Sequence, residues 1–144
     1  MLKNVLAVAA GINDGLKLGC NARSALMTMG LSSMNHLLLA LGGKHNTLMD
    51  LAGLGDLVLT CTDDQSRNRR FGLVLGGGMT VEEAMASVGH TVEGWHNVGQ
   101  LYHLAQQHQV ETPIVQRVYA VLYEGADPAC ITRDLISMMD HRVI

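Results

Sequence analysis

Three stretches of this sequence carry side chains suited to chemistry. In Gly53-Leu54-Gly55-Asp56-Leu57-Val58-Leu59-Thr60 a carboxylate and a hydroxyl stand four residues apart in an otherwise apolar run. On a helix, Asp56 and Thr60 therefore share one face. Asp56 is either desolvated and paired or sits at a helix start facing a cleft; the competing reading is a plain cap of its helix after the glycines. A few residues later, Asp63-Asp64-Gln65-Ser66-Arg67-Asn68-Arg69-Arg70 puts Ser66 where a helix N-cap belongs, with Arg67 and Asn68 in the first turn. Open backbone N–H groups, the positive end of the helix dipole, a hydroxyl, a guanidinium and a side-chain amide then converge, a set suited to a phosphate or carboxylate. A guanidinium at a helix start works against the dipole, and that misplaced charge is the better clue. The competing reading is a solvated basic face neutralised by Asp63 and Asp64. The third stretch, Lys3-Asn4, opens a very apolar segment. Its lysine either snorkels to solvent or is buried enough to serve as a neutral base.

Composition narrows the setting for these groups. The 144 residues are 48% apolar and 16% charged, with a formal charge of −3. Such a chain has the makings of one packed domain that buries roughly two-thirds of its unfolded surface, and disorder is excluded. An acidic balance argues against a general polyanion binder. Nucleic-acid binding through Arg67-Asn68-Arg69-Arg70 is set aside because neither a positive domain nor interleaved aromatics accompany it. No apolar run is long enough to span a membrane, Asn13 and Asp14 interrupt the one stretch resembling a signal h-region, and a cytoplasmic protein is expected. Cys20, Cys61 and Cys130 are odd in number and widely spaced. They are read as small buried hydrophobes in a reducing compartment. The seven histidines have neither H-E-x-x-H nor paired Cys/His spacing, so no metal site is expected.

The elements that position these groups are helical throughout. Residues 2–13 read as a helix, ended near Gly11 to Gly15. Asn21 is placed as the cap of a long helix to about Leu41, stopped by Gly42-Gly43. Short helices are expected at 47–52 and 56–61, and another from the Ser66 cap to about Leu75, stopped by Gly76-Gly77-Gly78. Thr80 with Glu83 forms a capping box, and Val92–His108 has the apolar spacing of an amphipathic helix. Thr112-Pro113 and Asp127-Pro128 are each an N-cap followed by proline at the first helical position, with Gly125 ending the helix between them. No segment alternates with period two. Neither a dinucleotide-binding glycine fingerprint nor a P-loop is present. An all-α domain of about seven to nine helices follows.

In order along the chain, Lys3-Asn4, Asn21-Ala22-Arg23-Ser24-Ala25-Leu26, Gly53-Leu54-Gly55-Asp56-Leu57, Thr60-Cys61-Thr62, Ser66-Arg67-Asn68-Arg69-Arg70-Phe71-Gly72 and Val92-Glu93-Gly94 resemble the C-terminal, helical substrate domain of bacterial NAD(P)-dependent glycerol-3-phosphate dehydrogenases. The likeness runs over essentially all of residues 1–144. It implies an orthogonal helical bundle like the C-terminal domain of 6-phosphogluconate dehydrogenases, and a reaction interconverting sn-glycerol 3-phosphate and dihydroxyacetone phosphate with NAD or NADP, feeding glycerophospholipid synthesis. By that resemblance Lys3 is the proton acceptor, Asn4 lies beside the substrate, and Asp56 and Thr60 are the active-site carboxylate and hydroxyl. Ser66, Arg67 and Asn68 hold the phosphate end, while Arg67, Thr91 and Glu93 reach the cofactor. A homodimer is also implied. A non-catalytic helical anion-binding or dimerisation module is the competing reading.

Departures from the family pattern are few. Met29 stands where arginine is usual and Ser33 where glutamate is usual. Being four apart on one helix, they are read as a surface ion pair lost as a unit, at a cost under about 0.5 kcal/mol. Thr91 replaces a usual aliphatic beside Glu93. The family's Rossmann domain, which carries the glycine-rich phosphate loop, precedes the lysine helix and has no counterpart in these 144 residues. The purified chain by itself is therefore expected to give no substrate-dependent NAD(P)H turnover in a spectrophotometric assay, and measurable turnover would contradict this reading.

Overall fold

The computed structural model describes residues 2–42, 66–89, 92–131 and 133. Among them stand α1 (Leu2–Gly15), α2 (Cys20–Ala40), α3 (Arg67–Gly76), α4 (Val81–Val88), α5 (Glu93–Gln107) and α6 (Pro113–Tyr123), with a further helical turn beginning at Ala129. The described residues contain no strand. The helices expected at 47–52 and 56–61 lie outside the described residues.

The most apolar segment forms the centre. Every residue from Val5 to Asn13 is buried, so α1 has no solvent face over those residues and packs against α2, α3, α5 and α6. A helix apolar on all sides must be enclosed in this way. Fully burying side chains such as Val5, Val8 and Ile12 contributes roughly 1.5–3 kcal/mol each. Around α1 the core is completed by Leu37 of α2, Phe71 and Leu75 of α3, Val98 and Leu101 of α5, and Ile114 and Val118 of α6.

Contact between α1 and α3 is made by glycines. A Cβ added to Gly11 would collide with the Arg69 carbonyl and come within 2.8 Å of the Leu73 nitrogen; one added to Gly72 would collide with the Val8 carbonyl and lie 2.9 Å from the Ile12 nitrogen. Gly15 and Gly76 meet each other in the same way, each with a would-be Cβ 3.0 Å from the other's Cα. Two glycines four residues apart on each helix thus let the backbones touch. Along this seam the paired residue numbers rise together on both helices, so α1 and α3 run in the same sense and their N-termini lie at one end. α1 ends at Gly15, within the stretch read as its end, although Gly11 and Gly15 also serve the seam. The chain reverses at Lys17, which takes a left-handed φ of 60° and leaves Leu18 N–H bonded to the Asn13 carbonyl at 3.3 Å. After α3 the left-handed residue is Gly78, with φ 111°.

Local capping matches the sequence closely. Ser66 Oγ accepts from Arg69 N–H at 3.3 Å, Thr80 Oγ accepts from Glu83 N–H at 3.2 Å, and Asp127 Oδ1 accepts from Ala129 N–H at 3.0 Å. Gly125 follows the end of α6 with φ 73°. Three readings are corrected, and one, the Thr112-Pro113 start of α6, holds in position but not in its capping bond. The long helix begins at Cys20 after Gly19 (φ 93°), so Asn21 lies inside its first turn instead of capping it. Cys20 is exposed, since the first turn of α2 faces solvent. Thr112 occupies the N-cap of α6, yet its hydroxyl bonds to no helix N–H and is buried without a partner. Met29 and Ser33 are buried at 7% and 8% exposure, so that face of α2 looks inward and is no surface ion-pair site. Ser33 and Thr112 border a small apolar recess with Val5, Leu6 and Leu37.

Four of the five aromatic residues line the α5–α6 contact. Tyr102 stacks on Tyr119 with centroids 3.8 Å apart, Tyr119 on Tyr123 at 4.7 Å, and Tyr123 on Trp95 at 4.6 Å. The Tyr123 hydroxyl donates to the Trp95 carbonyl. Burial, with Tyr119 adjoining, pushes the Tyr123 phenol up from its ordinary range.

The glycine seam has a direct test. Helix propensity alone would favour alanine over glycine by about 1 kcal/mol, but two backbones must separate to admit a methyl at Gly11 or Gly72. Gly11→Ala and Gly72→Ala are each expected to destabilise the chain by about 2–3 kcal/mol in urea unfolding. Gly77→Ala, whose Cβ would find only ordinary contacts at 3.5 Å, should stay within about 0.5 kcal/mol of the parent.

Candidate active site

Because α1 and α3 point the same way, Lys3-Asn4 and Ser66-Arg67-Asn68 stand at one end of the seam. The start of α5 joins them there. Asn68 Oδ1 accepts from the backbone N–H of Gly94 at 2.8 Å, and Asn4 Nδ2 donates to Glu93 Oε2 at 3.3 Å. Gly94 permits this junction: a Cβ on it would lie 2.7 Å from Asn68 Oδ1, 2.8 Å from a Val8 methyl and 3.2 Å from the Asn4 carbonyl oxygen. Three helix N-termini therefore meet around one glycine.

Of the sequence-derived candidates, the structure brings Asn4, Asn68 and Glu93 into one cluster, with Lys3, Ser66 and Arg67 on the same helix starts. Asp56, Thr60 and Thr91 lie outside the described residues. Lys3 is exposed, which favours the snorkelling reading over burial. Arg67 is also exposed, in the first turn of α3. Ser66 and Asn68 are both engaged within the fold. The Ser66 hydroxyl is occupied by capping, and the Asn68 carbonyl is occupied by Gly94 N–H. That second bond has a chemical consequence: with its acceptor used, Asn68 is left with its amide nitrogen, a donor, which is the polarity an anion requires. Glu93, in the first turn of α5, is favourably placed against that helix dipole.

One part of the basic run has a structural role instead. Arg69 is buried and its Nη2 lies 3.0 Å from Asp14 Oδ2; Arg23 Nη1 lies 3.0 Å from the same oxygen. One carboxylate of α1 thus ties α2 and α3, and Arg69 is not available to a solvated basic surface. Sequence reasoning missed this triad, since 55 residues separate Asp14 and Arg69. It also missed Asn97, whose Oδ1 accepts from Asn4 Nδ2 at 2.9 Å. The available signal was its spacing four residues after Glu93, which places both on one helix face. Among the described residues no group of three or more His, Cys, Asp or Glu is placed to hold a metal ion, and no helix is long and apolar enough to cross a membrane.

A family model described as the C-terminus of NAD-dependent glycerol-3-phosphate dehydrogenase matches residues 1–133. The chain belongs to this family. Among its relatives is the glycerol-3-phosphate dehydrogenase [NAD(P)+] of Colwellia psychrerythraea, 57% identical over 136 residues, covering 94% of this chain and 41% of that protein. The Coxiella burnetii protein of the same name is 54% identical over 135 residues, with the same coverage. The chain spans about two-fifths of the length of the curated relatives it matches. The crystal structure of glycerol-3-phosphate dehydrogenase from Coxiella burnetii superposes with a TM-score of 0.89 at 53% identity, over 94% of this chain and 42% of that one. The structure of DsGPDH of Dunaliella salina, at 24% identity and TM-score 0.78 over 92% of this chain and 27% of that one, shares the fold. The helical architecture is thus that of the C-terminal part of glycerol-3-phosphate dehydrogenases.

Gly94 gives the junction a measurable handle. Gly94→Ala should push Asn68 aside and break the hydrogen bond from residue 94 N–H. Net loss of one such bond is worth about 1 kcal/mol, so amide exchange at residue 94 is expected to rise about fivefold, read by deuterium exchange. Unchanged protection would show that the junction tolerates a side chain.

Proposed function

We propose that this chain is the substrate-binding and catalytic half of a cytoplasmic glycerol-3-phosphate dehydrogenase. The enzyme interconverts sn-glycerol 3-phosphate and dihydroxyacetone phosphate and feeds glycerophospholipid synthesis. The observation that carries the reading is the meeting of Asn4, Asn68 and Glu93 at three helix N-termini in a chain of this family.

In this reading Ser66, Arg67 and Asn68 hold the phosphate. Arg67 supplies a fixed positive charge, Asn68 an amide donor, and the start of α3 its outward N–H groups and dipole. A dianion held away from the reacting carbon provides binding energy that orients the rest of the substrate. Covered by the partnering nucleotide-binding domain, Lys3 as a neutral amine takes the proton from the secondary hydroxyl as the hydride departs from the carbon that bears it. Asp56 positions Lys3 and passes the proton onward, and Thr60 serves as the active-site hydroxyl.

The donor set fits one side of a nicotinamide dinucleotide: the exposed Glu93 carboxylate suits ribose hydroxyls and the exposed Arg67 guanidinium suits a phosphate. Arg67, Thr91 and Glu93 would hold NAD or NADP from this half, and a partnering nucleotide-binding domain would hold the remainder. When bound, the nicotinamide supplies the hydride acceptor. Assembly with that domain, and pairing of two such enzymes as a homodimer, complete the proposal.

Complementation tests it. Mixing the purified chain with a separately produced nucleotide-binding half of a close relative is expected to give glycerol-3-phosphate-dependent reduction of NAD or NADP. Lys3→Ala in the same mixture should lower turnover about a hundred- to ten-thousand-fold, the usual weight of a general base. A folded mixture without turnover, or a Lys3→Ala chain of undiminished turnover, would reject the assignment.

A further inference from the structure

Two asparagines flank the junction, and their hydrogen bonds leave them with opposite polarity. Asn68 has its carbonyl occupied, as described above. Asn4 has its amide nitrogen occupied twice, by Glu93 Oε2 at 3.3 Å and by Asn97 Oδ1 at 2.9 Å. An ionised carboxylate only accepts, so the Asn4 group facing Glu93 is the nitrogen. The same nitrogen then requires an acceptor from Asn97, and the Asn97 amide donates in turn to Gln100 Oε1 at 3.2 Å. Starting from Glu93, the orientation of every amide in the chain is settled. Both amide protons of Asn4 are committed, which leaves its Oδ1 as the group that neither partner uses.

We infer that Asn97 is a positioning residue that locks the Asn4 amide with its carbonyl oxygen outward, making Asn4 an acceptor reserved for the hydroxyl end of the substrate. This deepens the proposed function and rests on it for the identity of the substrate. Asn4 Oδ1 can receive a hydrogen bond from a hydroxyl or from the Lys3 ammonium, and it repels a phosphate. Asn68 does the reverse. A glycerol phosphate, hydroxylated at one end and anionic at the other, is thereby told which way to lie. Glu93 alone does not suffice for the lock, because its bond to Asn4 is the longer of the two and leaves one amide proton uncommitted. Asn97, half-buried on the same face of α5, supplies the second point that stops rotation.

Two variants separate this role from a merely structural one. Asn97→Leu removes the acceptor at similar size; Asn97→Asp keeps an acceptor toward Asn4. In the 144-residue chain labelled with nitrogen-15, the Asn4 side-chain amide protons are expected to exchange with water about fivefold faster in Asn97→Leu than in the parent. In Asn97→Asp they should stay close to the parent rate. In the mixture with a nucleotide-binding half, Asn97→Leu should lower kcat about tenfold while KM for the phosphorylated substrate changes less than about twofold, and Asn97→Asp should recover most of the kcat. Equal Asn4 exchange in all three chains would overturn the inference. So would a loss in Asn97→Leu that falls on KM alone, or one that Asn97→Asp does not repair. If the parent mixture is inactive, the proposed function fails, while the exchange rates still decide whether Asn97 holds Asn4.

Discussion

The glycine seam between α1 and α3 is the constraint on which the rest depends. Helices that meet through ordinary side chains stand 8–10 Å apart. Here Gly11, Gly15, Gly72 and Gly76 bring backbone against backbone, so the axial offset and the direction of the two helices are set by hard contact. Parallel running follows from the pairing, and it carries Lys3-Asn4 and Ser66-Arg67-Asn68 to one end. A seam of larger side chains would tolerate sliding by part of a turn, and a displacement of that size separates groups that must act on one small molecule.

Around the seam, polar interactions make the arrangement specific. Asp14 joins α2 and α3 to α1 through two guanidiniums. A partly buried ion pair of this kind adds little net stability, but removing one partner strands the other, so it discriminates against misaligned packings. At the opposite end of α1, Gly94 repeats the logic of the seam by letting α5 press its first turn onto Asn4 and Asn68. The stacked aromatics of α5 and α6 brace that helix from its far side. Each N-terminus at the junction is held by contacts outside the junction, which leaves Lys3 and Arg67 exposed for binding.

Much of this was legible locally. Ser66, Thr80 and Asp127 cap their helices because the hydroxyl or carboxylate bonds to an N–H two or three residues away. The enclosed character of α1 is written in the unbroken apolar run from Val5 to Ala10. Readings failed where a residue's partner is remote. Gly11 and Gly15 mark the end of α1 as read, but nothing local shows that they also lie against α3. Met29 and Ser33 have the spacing of a surface pair, and only the packing of α2 turns that face inward. Thr112 holds the N-cap position as read, but its hydroxyl borders an apolar recess instead of bonding to the helix.

Composition, periodicity and capping were enough to specify an all-helical domain and the starts of most of its helices, because these depend on interactions within a turn or two of chain. The ordered motifs also singled out Asn4, Asn68 and Glu93. What no local pattern contains is the polarity each side chain presents. Asn68 offers a donor because Gly94, 26 residues away, takes its carbonyl; Asn4 offers an acceptor because Glu93 and Asn97, 89 and 93 residues away, take its nitrogen. An amide is a donor and an acceptor in one group, and which half faces outward is settled by neighbours that folding alone brings into reach.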